Sequence, residues 1–386
     1  MAILGSTGSI GCNAIEVIER LGDPFHVVAI SGNSQIDKLV RQAQLVKPQA
    51  IGLGDPRERP ALESALRAAN LKSRVYCGSR ELAEMVRRDD VDVVVAAIVG
   101  FAGLEPVLAA VEAGKTVALA NKEALVVAGS ILIPQARRTG AKIIPVDSEH
   151  SAIFQAMACG RASEVRRVIL TASGGPFLDW SIEKMRTASL ADALKHPTWR
   201  MGDKVTIDSA TMFNKALEII EACWLFDLPP QQVEVVIHPE SVVHSMVEFV
   251  DGSTIAQLSP PDMRTPIQYA LTYPDRKTGI SPRLDLTKAF NLNFSPPDPE
   301  KFGALRLAYD VATRRGTLGA VLNAANEIAV AAFVAGKIPF WMICDVVART
   351  IRSHQMTAEP SLADLIDADA WARRTAEQLL CLGGQN

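Results

Sequence analysis

The sequence predicts an α/β protein in three parts: a parallel-sheet domain, a central α+β domain and a C-terminal helical bundle. Three observations predict it. Short β-rich runs alternate with helical patterns up to about residue 147, a mixed region with a hairpin follows, and helical periodicity closes the chain. A length of 386 residues is too great for one simple core, so two or three domains are expected.

Residues 1–147 are predicted to form a Rossmann-like domain, because alternating strands and helices are typical of βαβ units in a parallel sheet. The apolar run from Val91 to Ile98 has the composition of a central strand buried on both faces. The predicted strands are Ala2–Leu4, His26–Ser31, Ala50–Leu53, Val91–Ile98, Thr116–Ala120 and Lys142–Val146. The predicted helices between them include Asn13–Leu21, Ile36–Val46 and Arg57–Ala69.

Residues 148–272 are predicted to form the central α+β domain; the family resemblance given below implies that it is the catalytic and dimerisation domain. Asp251-Gly252 joins two of its strands with the residue types of a hairpin turn. The predicted strands are Val165–Ala172, Val233–Ile237, Ser245–Val250 and Thr254–Leu258, and one long helix is predicted over Ala210–Phe226.

The rest of the chain is predicted to be a linker followed by helices. Prolines are frequent in 273–300, which favours an extended linker. Residues 301–386 have the helical period of a small bundle. Its predicted helices are Phe302–Arg315, Gly319–Ala335, Pro339–Ser353 and Leu362–Leu382.

The composition is that of a globular protein and argues against several classes. Hydrophobic residues make up 48% of the chain and charged residues 22%, and the formal net charge of −3 indicates no nucleic-acid partner. No apolar run reaches the ~18 residues of a membrane helix, and we expect no signal peptide, because only Met1–Leu4 precede the first glycine. The 6 cysteines are scattered without metal-site spacing, so we expect reduced thiols and a cytoplasmic protein.

The turn GSTGSIG, residues 5–11, lies between a predicted strand and a predicted helix. Glycines at this spacing let the backbone approach a pyrophosphate, which the N–H groups of the helix N-terminus can then bind. The simpler alternative is an ordinary strand–helix turn, but the context favours dinucleotide binding.

The end of the second predicted strand, residues 31–35, should distinguish the two nicotinamide cofactors. An acidic residue there holds the ribose 2′-hydroxyl of NADH, whereas a nearby arginine accommodates the 2′-phosphate of NADPH. The stretch SGNSQ contains neither. The feature expected for NADH is therefore missing, and no basic residue is visible for NADPH.

Asp147-Ser148-Glu149 follows the last predicted strand of the first domain. In an extended backbone, residues i and i+2 point to the same side, so the two carboxylates are expected to converge at the carboxyl end of a parallel strand. Two such oxygens suit a hard cation such as Mg²⁺ or Mn²⁺. The alternative is that Asp147 or Ser148 caps a helix that begins at Ala152.

Asn214, Lys215 and Glu218 share one edge of the long predicted helix, because residues three and four apart are neighbours there. An amide, an ammonium and a carboxylate together can bind a phosphate and a metal side by side, which makes Glu218 the candidate third ligand. The alternative is a solvated ion pair between Lys215 and Glu218.

Two loops complete the candidate site. TASGGPF, residues 171–177, places the Ser173 hydroxyl between a strand and two glycines, which suits a phosphate or hydroxyl contact. HPTWRMG, residues 196–202, carries the large apolar side chains Trp199 and Met201 on a loop and suggests a flap that closes over a substrate. The alternative is a loop that packs on its own domain.

Together these motifs resemble those of the 1-deoxy-D-xylulose 5-phosphate reductoisomerase family, and they follow the family's order over almost the whole chain. Besides GSTGSIG, TASGGPF and HPTWRMG, the matching stretches are ANKE (120–123), PVDSEH (145–150), IDSATMFNKALEIIEA (207–222), HPESVVHSM (238–246), PPDMRTPI (260–267) and VLNAANEIAVAAF (321–333).

The resemblance implies a role for each matching residue. The implied metal ligands are Asp147, Glu149 and Glu218, which with Lys215 and His196 form the catalytic set. The implied substrate contacts are Ser148, Glu149, Ser173, His196, Trp199, Met201, Ser209, Asn214, Lys215, Glu218 and His244. The implied cofactor contacts are Thr7, Gly8, Ser9, Ile10, Gly32, Asn33, Ser34, Gln35, Asn121, Lys122, Glu123 and Gly202.

The resemblance also implies a reaction. A divalent cation (Mg²⁺, Mn²⁺ or Co²⁺) would assist the rearrangement of 1-deoxy-D-xylulose 5-phosphate, and NADPH would reduce the branched aldehyde to 2-C-methyl-D-erythritol 4-phosphate, in the non-mevalonate isoprenoid pathway. The implied partner is a small sugar phosphate, with neither nucleic acid nor membrane, and the implied assembly is a homodimer.

The chain departs from the family pattern at Ser34, where many members carry arginine or lysine, and its flap region has Arg200 and Asp203 at positions that vary within the family. Two alternatives stay open at the level of sequence. A two-domain NAD(P)-dependent dehydrogenase that acts on a semialdehyde or sugar phosphate without rearrangement would need no metal ligands. A non-catalytic cofactor sensor would have no use for them either.

Overall fold

The computed structural model of the chain describes residues 1–199, 201–288 and 290–383. They form two compact units, each assembled from separate stretches. The first comprises 1–124, 132–151 and 262–282, and the second comprises 125–131, 152–261 and the residues from 283 onward. The four-segment division drawn from the sequence stays a prediction, but residues 262–272, expected in the central domain, lie in the first unit.

A seven-stranded parallel sheet is the centre of the first unit, in the order β4-β3-β2-β1-β5-β6-β7. Its strands are β1 Ala2–Leu4, β2 Ala29–Gly32, β3 Ala50–Leu53, β4 Arg74–Cys77, β5 Val93–Ala96, β6 Thr116–Leu119 and β7 Lys142–Pro145. The helices that follow them are α1 Ser9–Leu21, α2 Ile36–Val46, α3 Arg59–Ala68, α4 Ser79–Val86, α5 Leu104–Glu112, α6 Lys122–Thr139 and α7 Ser148–Met157. The predicted Rossmann-like parallel sheet is confirmed.

The two neighbours of β1 are shorter than predicted. Ala2, the first residue of β1, pairs with Ala29 on one side and with Val94 on the other. β2 begins at Ala29 rather than His26, where its pairing with β3 also begins, and the central strand spans Val93–Ala96 rather than Val91–Ile98. The sequence did not predict β4, whose first two residues are not buried.

A four-stranded mixed sheet, ordered β11-β10-β8-β9, belongs to the second unit. Its strands are β8 Val165–Ala172, β9 Val233–Ile237, β10 Val243–Phe249 and β11 Thr254–Leu258. β8 and β9 are parallel, the other pairs are antiparallel, and Asp251-Gly252 lies in the predicted turn between β10 and β11. The central α+β architecture is therefore confirmed.

The single helix predicted over Ala210–Phe226 is wrong at its start. The helices between β8 and β9 are α8 Ile182–Arg186, α9 Leu190–Ala193, α10 Asp203–Thr211 and α11 Phe213–Leu225. Met212 separates the last two with a left-handed φ of 63°. No continuous helix can pass through that conformation.

α12, Arg264–Thr272, returns to the first unit, where it packs on α1, β6 and β7. After the proline-rich segment, whose Ser295 bridges to Ile237, come α13 Gly303–Arg314, α14 Leu318–Val334, α15 Met342–Ser353 and α16 Leu362–Gly383. α14 is largely buried and packs on α15 and α16, so the predicted C-terminal helical bundle is confirmed. Among the described helices, none has the length and apolar content to cross a bilayer.

Candidate active site

The glycine turn between β1 and α1 has no room for a Cβ atom at two of its positions. Gly5 has a φ of +77°, and a Cβ there would lie 2.5 Å from the Ala97 carbonyl oxygen. A Cβ on Gly11 would lie 2.3 Å from the Ser6 Cα. Gly8 is the N-cap of α1 and supplies no capping side chain, so the first-turn N–H groups suit an anion.

The turn lies beside the end of β2. The Ser6 N–H donates to the Ser31 carbonyl oxygen at 2.7 Å, and a Cβ on Gly32 would lie 3.2 Å from the Thr7 side chain. The next three residues, Asn33, Ser34 and Gln35, are exposed. The first unit therefore brings together the cofactor candidates that follow β1 and β2.

Asn121, Lys122 and Glu123 are buried at the start of α6. Asn121 caps this helix: its Oδ1 accepts from the Ala124 N–H at 2.8 Å, while its Nδ2 donates to the Gly100 carbonyl oxygen at 3.0 Å. The Asn121 amide therefore holds the loops at the carboxyl edge of the sheet in place.

Asp147 and Glu149 do not lie on one extended strand, as the i, i+2 argument assumed. α7 begins at Ser148 rather than Ala152, because the Asp147 carboxylate accepts the Glu149 N–H at 3.3 Å. Asp147 thus combines the helix-capping geometry of the alternative with a position at the carboxyl end of β7. Glu149 lies on the first turn, where its Oε2 accepts from the Ser148 hydroxyl at 2.5 Å.

Two basic side chains hold the Asp147 carboxylate. The Lys122 Nζ lies 2.5 Å from Oδ2, and the His150 Nδ1 lies 3.5 Å from Oδ1. Burial raises the pKa of Asp147, but Lys122 and His150 outweigh it, so this pKa lies well below its usual range. The Asp147 side chain is therefore an ionised carboxylate, which is the form that can bind a cation. The sequence analysis missed His150, although its i, i+3 spacing from Asp147 was a usable signal.

In the second unit, Asn214, Lys215 and Glu218 share one edge of α11. The Lys215 side chain is 3% exposed and that of Glu218 is 0% exposed. Lys215 donates to Glu218 Oε2 and Asn214 donates to Oε1. Because both side chains are buried, the alternative of a solvated ion pair is wrong. Burying the pair carries a desolvation cost that a surface pair does not have.

The loop after β8 brings Ser173, His196 and Ser209 together. The Ser173 Oγ lies 3.0 Å from the His196 Nε2 and accepts from the Gly175 N–H at 3.2 Å. Gly175 has a φ of +65°, and a Cβ there would lie 2.7 Å from the Ser209 carbonyl oxygen. Only glycine allows this approach between the loop and the end of α10.

His196 has a defined tautomer. Its Nδ1 accepts N–H groups from Thr198 at 3.2 Å and from Trp199 at 2.9 Å, so the proton lies on Nε2, which donates to Ser173. Burial lowers the pKa of His196, which keeps the ring neutral. The start of the predicted flap is thereby folded around His196.

The flap contacts a second neutral histidine. The Trp199 and His244 ring centroids are 6.2 Å apart, and the His244 Nε2 lies 2.9 Å from the Ser259 Oγ. Burial lowers the pKa of His244 to about 4. Met201 is half-buried and Gly202 is exposed, whereas Arg200 lies outside the described residues.

Family models match three stretches of the chain. Residues 1–129 match the model described as 1-deoxy-D-xylulose 5-phosphate reductoisomerase. Residues 143–226 match the model for the C-terminal domain of that enzyme, and residues 258–375 match a model described as the DXP reductoisomerase C-terminal domain.

Full-length relatives and a solved structure agree with these matches. The 1-deoxy-D-xylulose 5-phosphate reductoisomerases of Rhodopirellula baltica and Chlorobaculum tepidum are each 48% identical over 98% of this chain, and 94% and 99% of the relatives are covered. The crystal structure of a DOX-P reductoisomerase in complex with NADPH, fosmidomycin and magnesium is similar at a TM-score of 0.94 and 43% identity, over 100% of this chain and 99% of that one.

Proposed function

The chain belongs to the 1-deoxy-D-xylulose 5-phosphate reductoisomerase family, and from that premise we propose how its own residues carry out the reaction. Membership confirms the resemblance inferred from the motifs. The reaction is the metal-dependent rearrangement and NADPH reduction of 1-deoxy-D-xylulose 5-phosphate to 2-C-methyl-D-erythritol 4-phosphate in isoprenoid synthesis.

The cation ligands are Asp147, Glu149 and Glu218. The observation that carries this assignment is the carboxylate of Glu218, fully buried between an ammonium and an amide on one helix edge. Asp147 adds a carboxylate that its neighbours keep ionised. Three carboxylates are the donor set that Mg²⁺ or Mn²⁺ prefers. When bound, the cation polarises the substrate carbonyl and acidifies the adjacent hydroxyl, and NADPH supplies the hydride.

The substrate phosphate is bound by Ser173, Ser209, Asn214 and Lys215. Two hydroxyls, an amide and an ammonium provide hydrogen bonds and one positive charge, and the Gly175 turn brings the Ser173 loop against the Ser209 segment. Binding energy at this remote group orients the reacting end of the sugar. Ser148 and His196 are further substrate contacts. Because the His196 Nε2 proton is donated to the Ser173 Oγ, the Ser173 hydroxyl keeps its own proton for a phosphate oxygen.

Trp199 and Met201 exclude water from the reactive aldehyde. Both are large apolar side chains on a loop, and Trp199 already lies near the buried ring of His244. A neutral His244 can line this site without adding charge. Thr7–Ile10, Gly32–Gln35, Asn121–Glu123 and Gly202 form the cofactor site.

The protein is a cytoplasmic homodimer. None of its 6 cysteines forms a disulfide among the described residues, which fits a reducing compartment. β11 is the edge strand of the mixed sheet and is not buried along its length, which suits an interface between subunits.

The deciding assay follows NADPH oxidation with 1-deoxy-D-xylulose 5-phosphate, with Mg²⁺ or Mn²⁺ and with EDTA. We expect turnover only with the cation. We expect Glu218→Gln to lower kcat/KM at least about 100-fold and to raise the cation concentration for half-maximal rate, because one charged ligand is lost. Glu234→Gln, which alters an exposed carboxylate on β9, is the control and should change neither quantity.

Absence of turnover in the presence of the cation would overturn the proposed function. A Glu218→Gln enzyme with a normal rate and an unchanged cation requirement would remove Glu218 from the metal site and leave the function standing.

A further inference from the structure

Lys38 lies beside the glycine turn. It is the third residue of α2, and its Nζ donates to the Thr7 carbonyl oxygen at 2.7 Å. The Thr7 side chain in turn lies against Gly32 at the end of β2. A half-buried ammonium is therefore placed where the turn after β1 meets the end of β2.

This ammonium has no acidic partner among the described residues. Within residues 1–199, 201–288 and 290–383, no carboxylate oxygen lies within 4.0 Å of it, and the Thr7 carbonyl is its one hydrogen-bond acceptor. An ammonium has three N–H donors, so two remain for another acceptor. Its position in the first turn of a helix is also unfavourable for a cation, because the positive end of the helix dipole lies there. A bound anion would accept hydrogen bonds from the two remaining donors and would offset the unfavourable interaction of the ammonium with the helix dipole.

α2 does not need Lys38 to stay against the glycine turn. The Gln42 Nε2 donates to the Ser6 carbonyl oxygen at 2.8 Å, and the Ser6 hydroxyl donates to the Gln42 Oε1 at 2.8 Å. This two-way amide contact ties the helix to the turn one helical turn beyond Lys38. Removing the ammonium therefore leaves the surrounding geometry supported.

We propose that Lys38 determines the preference for NADPH by pairing with the 2′-phosphate of the adenosine ribose. In Rossmann-like domains that ribose binds at the carboxyl end of β2, where residues 31–35 of this chain offer neither an acid nor an arginine. A phosphate monoester carries a charge of about −2 and three acceptor oxygens, which match the two remaining donors of Lys38. The inference rests on the proposed use of NADPH and names the side chain that reads its extra phosphate.

The test uses calorimetric titration of the full-length protein with 2′,5′-ADP and with 5′-AMP, which differ only in the 2′-phosphate. We expect Lys38→Met to raise the Kd of 2′,5′-ADP roughly 10- to 100-fold and to leave the Kd of 5′-AMP unchanged, because one charge-assisted contact is lost. The ratio of kcat/KM for NADPH to that for NADH should fall by a similar factor. Lys38→Arg should keep both the tighter binding of 2′,5′-ADP and the kinetic preference for NADPH.

Arg41→Met is the matched control, because it removes an exposed positive charge from the same helix one turn further along. It should leave both Kd values unchanged. Equal weakening of both nucleotides by Lys38→Met would make Lys38 a support of the turn and overturn the proposal, as would an equal loss with Arg41→Met. Wild-type protein that bound neither nucleotide would contradict cofactor use itself, so the two failures are distinguishable.

Discussion

At the scale of single residues, the second unit keeps two histidines neutral by burying them. His196 accepts two backbone N–H groups on Nδ1, and His244 contacts the Ser259 hydroxyl and carbonyl. Neither ring has a carboxylate partner in these contacts, so desolvation determines its charge state. The candidate substrate site therefore gains hydrogen-bonding rings without gaining positive charge.

Burial of His244 makes folding depend on pH. Its pKa falls from 6.5 to about 4 in the folded protein, so below about pH 6.5 the unfolded chain binds a proton that the folded chain does not. The free energy of unfolding therefore falls as the pH is lowered, by about 2 kcal/mol from this residue between pH 7 and pH 5. Urea unfolding at both pH values should show that His244→Gln lacks this part of the decrease.

His26→Gln is the control for that experiment, because the His26 side chain is 70% exposed. Were His244→Gln to keep the full pH dependence of the wild type, burial of His244 would not be its source.

At the scale of elements, backbone conformations outside helices and strands shape the segments that carry the candidate phosphate ligands. Gly174 and Gly175 follow β8 with positive φ values, and Met212 separates α10 from α11. The first break brings the Ser173 loop against α10, and the second starts the helix that carries Lys215. The candidate ligands thus come from ends of elements, where short turns position them.

Gly175→Ala should cost more stability than another left-handed glycine in the same unit. Its Cβ would lie 2.7 Å from the Ser209 carbonyl oxygen at a φ of +65°, whereas a Cβ on Gly252 at +88° would meet nothing within 4 Å. We expect a loss of about 2–4 kcal/mol for Gly175→Ala and about 1 kcal/mol for Gly252→Ala, measured by urea unfolding. Equal losses would show that the loop relaxes freely.

The fold could be predicted where sequence patterns are strong. β3 and β8 have the predicted bounds: β3 is the apolar run AIGL, and β8 continues from Arg166-Arg167 into the buried apolar run VIL. β4 could not be found, since half of it is not buried, and Met212 carries no residue-type signal for a left-handed conformation. Sequence patterns indicate buried positions and the period of a helix or strand, but they do not indicate a local break that tertiary packing imposes.

The candidate site was predictable in its residue types and less so in its geometry. Asp147 and Glu149 follow the end of β7, as the sequence indicated, but the extended-strand argument assumed the wrong backbone, and their role as metal ligands stays a prediction. Lys38 was missed because it reaches a carbonyl group 31 positions earlier in the chain. Spacing along the sequence gives no measure of such a contact.

At the scale of the whole molecule, the edge of the mixed sheet is the candidate subunit interface. Among the described strands, β11 pairs on one side only, with β10, and Leu258 at its end is 37% exposed. A strand with a free edge and apolar side chains is suited to association with a second copy.

Sedimentation should find a species of about twice the chain mass of 41.6 kDa. Leu258→Lys should shift this equilibrium toward the monomer, because it places a charge at the proposed interface. Leu45→Lys, on an exposed leucine of α2, is the control and should stay dimeric. A monomer at all concentrations would contradict the homodimer, and a fully dimeric Leu258→Lys would place the interface elsewhere.

The return of α12 to the first unit has a consequence for how the protein is made. Its partner α1 emerges early from the ribosome, but α12 follows only after residues 152–261, which all belong to the second unit. At roughly 5–20 residues per second, the stretch of about 240 residues between α1 and α12 takes on the order of 10–50 seconds to synthesise, and α1 waits that long for this cover. The cofactor-binding unit therefore cannot be completed during synthesis until much of the second unit has been translated, and a nascent chain stopped before residue 264 would expose one face of α1 to chaperones.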